Sequence, residues 1–113
     1  MQTQKLIIDT DPGIDDAMAI HYAFAHEDLD LIGLTTIFGN VFVEQATRNA
    51  IVLTDQAGRI IPVCEGAKTP LSIPANAPSH YVHGDEGFGD FPAITPSRSA
   101  DPRPAHVFLA DTI

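Results

Sequence analysis

Three short apolar runs, separated by two segments of helix length, fill the first 63 residues, and this alternation constrains the fold more than any other feature. Lys5–Asp9 (KLIID) reads as a buried strand, and Thr10-Asp11-Pro12-Gly13 after it has the composition of a turn. From Ile14 to about His26, the apolar residues Ile14, Ala17, Met18 and Ala25 recur at helical spacing. Leu29–Phe38 is strand-like and broken by Gly39-Asn40. Val43, Ala46, Thr47, Ala50, Ile51 and Thr54 trace one face of a second helix, which stops at Gly58. Ile60–Val63 is a third short strand. A β-α-β-α-β order implies an α/β fold: an open, mostly parallel Rossmann-like sheet with right-handed crossovers and helices packed on it.

From Glu65 to about Pro104 the pattern changes. This stretch is rich in proline and glycine and has little periodicity, and loops of that length in a compact domain are often functional. Ala105–Ile113 then reads as the first turns of a helix, with positions 105, 108, 109 and 112 on one face. No glycine or proline closes it, so the expectation is a chain cut short of its natural end.

Charge narrows the function classes. Fifteen acids against six bases give a net charge of −9, a poor match to nucleic acid or to an anionic membrane surface. A single cysteine, Cys64, rules out an internal disulfide framework, and it reads as a small buried residue after a strand. No apolar run approaches the roughly 20 residues of a membrane span. Met1–Lys5 has no leader pattern, so a cytoplasmic protein is expected.

The chemistry concentrates in Asp9-Thr10-Asp11-Pro12-Gly13-Ile14-Asp15-Asp16. Four carboxylates lie within eight residues at the carboxyl end of the first strand, the edge at which open α/β sheets bind ligands. Asp15 and Asp16 would also suit a helix N-terminus on dipole grounds alone. Four like charges so close nevertheless call for a positive partner, and a hard cation with oxygen ligands, Ca²⁺ or Mg²⁺, supplies one. The spacing lets Asp11 on the loop and Asp16 in the first helical turn point to one place. Asn40 follows the second strand, on the same edge, where its amide can donate and accept hydrogen bonds. His83, within Val82-His83-Gly84-Asp85-Glu86-Gly87-Phe88-Gly89, is the candidate for proton transfer near neutral pH. His21, His26, His80 and His106 carry no distinguishing context.

The segment from Asp9 to Ala17 closely resembles the N-terminal signature of the inosine-uridine-preferring nucleoside hydrolases. Gly39-Asn40, Gln45–Ala50 and the loop from His83 to Gly89 follow in the same order and at similar spacing, so the resemblance covers essentially the whole chain. It implies a Rossmann-like enzyme with one bound Ca²⁺ that hydrolyses the N-glycosidic bond of ribonucleosides. Asp11 would be a calcium ligand and the general base for a calcium-bound water, and Asp16 a second ligand. Asp15 would hold a ribose hydroxyl, Asn40 the ribose or the reacting water, and His83 would lie by the nucleobase. Asp9 would support the cluster from behind.

Family members are much longer, and commonly homodimers or homotetramers, so residues 1–113 would be the N-terminal part of one nucleoside hydrolase domain. Further calcium ligands come from later segments in the family. The 113 residues alone are therefore expected to bind calcium weakly and to turn over slowly or not at all.

Two other readings stay open at this point. Ile7-Ile8-Asp9-Thr10-Asp11 also fits the start of the haloacid dehalogenase-like phosphatases, with Asp9 as nucleophile and Mg²⁺ as metal. That family has Thr or Val where this chain has Gly13, and it leaves Asp15, Asp16 and Asn40 unexplained. Alternatively the chain is a non-catalytic, nucleoside-binding fragment of a hydrolase.

Overall fold

Three parallel strands carry the fold, as the alternation requires. The computed structural model describes residues 3–39, 41–72 and 95–113. Its elements are β1 (Gln4–Thr10), α1 (Ile14–Ala25), β2 (Leu29–Thr36), α2 (Val43–Ala57), β3 (Val63–Cys64) and α3 (Ala105–Thr112). The sheet order is β1-β2-β3, with both ladders parallel.

Two apolar layers fix the sheet. On one face α1 and α2 pack against it through Ile20, Ala23, Leu31, Leu34, Ala50, Ile51, Leu53 and Val63. On the other, Phe108 and Ala105 of α3 pack with Cys64 and Ile7. The helix-bearing face follows directly from α2, whose expected stripe of Val43, Ala46, Thr47, Ala50, Ile51 and Thr54 is buried throughout. Gly58 ends that helix in the left-handed region, at φ 68° and ψ 29°, where a residue without Cβ is least strained.

Gly33 lies where β1 and β2 slip by one residue: Leu6 pairs with Leu31, but Ile7 pairs with Gly33. Such bulges bend a strand and often carry glycine. Here the missing side chain makes room for a ring. A Cβ on Gly33 would come within 2.5 to 3.0 Å of three ring atoms of Phe108.

Three expectations need correction. The face of α1 turned to the sheet is not the one its spacing suggested. Ile20 and Ala23 are buried, with Ala17 and Phe24 against the same cluster, whereas Met18 is 70% exposed and Ile14 43%. Nine of its twelve residues are apolar (Ile14, Ala17, Met18, Ala19, Ile20, Tyr22, Ala23, Phe24, Ala25), so periodicity alone does not select a face. The third strand is shorter and later than Ile60–Val63. Ile60 is exposed just after the Gly58 cap, Pro62 has no N–H to donate, and the ladder forms only at Val63 and Cys64. β2 ends at Thr36 rather than Phe38.

Cys64 lies inside β3 without exposed surface, and its thiol is pushed up, first by burial and then by the nearby Asp101 carboxylate. It is expected to resist aromatic disulfide reagents in the native protein and to react only as the chain unfolds. Immediate stoichiometric labelling without denaturant would contradict the packing of β3.

Candidate active site at the carboxyl edge of the sheet

β1, β2 and β3 all deliver their carboxyl ends to one edge, and the candidate residues collect there. Asp11 is half-buried in the loop between β1 and α1. Asp16, two residues into α1, is near enough for the two carboxyl groups to act on each other. Burial is the first cause that raises the Asp16 carboxyl above the ordinary range, and the charges of Asp11 and Asp15 add to it. The Thr10 hydroxyl, donating to Asp16 Oδ2 at 2.9 Å, works in the opposite direction. Ionising Asp16 in the cation-free fold therefore costs stability, and the cost grows as pH rises through the carboxylate range.

Gly39, in the turn after β2, presses on this pair. A Cβ there would run into the Asp11 carboxylate. The loop itself is braced from α2, where Asn49 Nδ2 donates to the Pro12 carbonyl at 3.2 Å.

The remaining acids sit differently. Asp15 is exposed in the first turn of α1 and acts on Asp16 through its charge. Asp9 pairs with Thr35 across the ladder and accepts its hydroxyl at 2.7 Å. Asp9 also lines a cleft of about 470 Å³ that includes Thr36, Glu65 and His106 and lies against α3. The structure thus brings Asp11 and Asp16 together, with Asp15 beside them, and turns Asp9 to the α3 side. Among the described residues, no three His, Cys, Asp or Glu side chains gather closely enough to hold a metal ion on their own. Asn40 and His83 lie outside the described residues.

Three contributors were missed in the sequence reading. Gly39 stood out as a strand breaker and as part of the resemblance but was given no contact with the site, although it abuts Asp11. Thr10 registered as a turn residue, yet it is buried and holds Asp16. Asn49 was named within Gln45–Ala50 but given no role, although a primary amide in sequence among Ala46, Ala50 and Leu53 is the kind of buried polar group that needs a partner. A second polar chain runs along the same edge. The Thr36 and Thr47 hydroxyls are 2.8 Å apart, and Thr47 donates to Glu65 at 3.1 Å.

The sequence profile of the inosine-uridine preferring nucleoside hydrolases matches residues 6–113. The chain belongs to that family. Uridine nucleosidase 1 of Arabidopsis thaliana is 47% identical over 111 residues, covering 97% of this chain and 33% of that protein. The non-specific ribonucleoside hydrolase RihC of Salmonella paratyphi A is 42% identical over 108 residues, covering 96% and 35%. Among solved structures, a purine-preferring ribonucleoside hydrolase from Gardnerella vaginalis superposes with a TM-score of 0.90 at 36% identity, covering 96% of this chain and 36% of that one.

The chain therefore spans about a third of the length of the curated relatives it matches. Membership in the nucleoside hydrolases sets aside the phosphatase reading of Asp9. No helix among the described residues is long and apolar enough to cross a membrane.

Proposed function

We propose that this chain is the N-terminal part of a single-domain, calcium-dependent nucleoside hydrolase, which cleaves the N-glycosidic bond of ribonucleosides to ribose and free base. The observation that carries the reading is the convergence of Asp11 and Asp16 at the carboxyl edge of a parallel sheet. There burial first, and then the charges of Asp11 and Asp15, hold the Asp16 carboxyl up. The names of the matched relatives support the reaction class.

The residues present fit a hard cation. Two carboxylates already pressed together offer oxygen donors and gain most from a positive charge between them, although Ca²⁺ takes about 6–8 oxygens in all. Asp11 and Asp16 would hold it, and when bound it supplies charge that orients ribose oxygens and acidifies a water.

The protein groups then divide the work. Asp11 takes the proton of the attacking water. The carboxylates beside the sugar stabilise the positive charge that builds on it as the base departs, as in glycoside hydrolysis. Asp15 binds a ribose hydroxyl, Asn40 holds the ribose or the water, and Asp9 supports the cluster from the side of Thr35. His83 lies by the nucleobase and helps the leaving group accept its proton. The full-length protein is a cytoplasmic homo-oligomer in this reading. The names of the matched proteins span uridine and purine ribonucleosides.

The test is a chimera in which these 113 residues replace the matching third of the Arabidopsis relative. Ribose release from uridine is expected from the chimera, and little or none from the 113 residues alone. A folded chimera without ribose release would overturn the reading.

Gly39→Ala probes the pair more gently. The group its methyl meets is the end of the Asp11 side chain rather than backbone. Cation affinity, followed by calorimetry, is expected to fall about tenfold through displacement of one ligand, while the unfolding midpoint stays near that of the parent. Equal affinity in both proteins would mean that Asp11 does not hold the ion.

A further inference from the structure

Asn49 lies in the middle of α2 and is only 1% exposed. Its Nδ2 donates to the Pro12 carbonyl, 37 residues away in sequence. Its Oδ1 accepts from Arg48, with Nε at 3.4 Å and Nη2 at 3.2 Å. A guanidinium only donates and a carbonyl only accepts, so one orientation of the amide satisfies both neighbours. Pro12 is buried and lies between Asp11 and the first turn of α1. That turn begins where Ala17 N–H donates to the Gly13 carbonyl at 3.1 Å. Lacking an N–H of its own, Pro12 can be held through its backbone only at the carbonyl.

We propose that Asn49 is a positioning residue for the Asp11–Asp16 pair. By holding the Pro12 carbonyl, it sets the course of the loop that carries Asp11 back against the start of α1. Arg48 keeps the amide turned the right way. The functional half of this proposal rests on the reading of the pair as a cation site, and the structural half does not.

The test compares Asn49→Asp and Asn49→Ala with Leu53→Ala in the chimera described above. Asn49→Asp keeps the shape and removes the donor. Leu53 is a core residue of the same helix, and its truncation weakens the fold without touching the loop. One readout is hydrogen exchange at the Ala17 amide, set against amides of β2. At matched global stability, Ala17 exchange should quicken about tenfold in both Asn49 variants and not in Leu53→Ala, because a buried carbonyl loses its partner only in the former. The other readout is calorimetric affinity for Ca²⁺ alone, which should fall about tenfold in the Asn49 variants and hold in Leu53→Ala.

Asn49 variants that match Leu53→Ala in exchange overturn the proposal. A parent chimera that takes up no Ca²⁺ overturns the cation reading instead, and exchange alone then decides the positioning role. Should both Asn49 variants fail to fold, Arg48→Met decides. It keeps the apolar stem and removes the donors, so Ala17 exchange should quicken in the same direction, and unchanged exchange refutes the role.

Discussion

Asp11→Asn in the chimera is expected to lower ribose release by about 10²–10⁴-fold, the usual weight of a positioned general base. Asparagine keeps the size and planarity of the side chain but cannot take up a proton at neutral pH. It also removes one of the charges that press on Asp16, so that carboxyl should fall back toward its ordinary range. The fold should tolerate the change, because Asp11 lies in a loop and contributes to neither apolar layer. Initial rates on uridine at saturating Ca²⁺, with circular dichroism as the control for folding, make the measurement. A variant as fast as its parent would remove Asp11 from the chemistry and leave the pair a structural feature.

Gly33→Val and Phe108→Ala, at the two ends of one contact, should produce the largest changes in stability. The valine Cβ has no space at the β1–β2 bulge, since three Phe108 ring atoms already stand within 3.0 Å of that point. Phe108 is itself 2% exposed and cannot swing into solvent without uncovering the α3 face of the sheet. Overpacking of this kind costs about 1–3 kcal/mol, and Phe108→Ala, which empties the same space, about 3–5 kcal/mol. The two changes act on one contact, so the double variant should lose less than the sum. Urea unfolding of the four proteins gives the cycle. Strict additivity would show that Gly33 and Phe108 do not meet.

The matched proteins differ in the substrates their names carry, uridine for the Arabidopsis protein and purine ribonucleosides for the Gardnerella one.

Much of this was legible in the residues. α2 could be placed residue by residue because its apolar and polar positions alternate sharply around the helix. The Asp11–Asp16 convergence was legible because a strand end, a glycine turn and a helix start leave the backbone few paths between the two carboxylates. α1 was legible as a helix but not in its orientation. With apolar residues on nearly every side, only the contact with Leu31 and Leu34 decides that Ile20 and Ala23 go in and Met18 stays out.

Local sequence thus determined the element order, the parallel sheet, the helix starts and stops, and which carboxylates could meet, because these follow from periodicity and from turn chemistry within a few residues. Tertiary structure alone decided the rest. Asp9 faces α3 because β1 alternates its side chains across the sheet. Gly39 abuts Asp11 because β2 ends beside β1. Gly33 receives Phe108, and Asn49 reaches Pro12, from 75 and 37 residues away in sequence. Contacts of that kind leave no periodic trace. They depend on which faces the strands and helices present to one another once the sheet has formed.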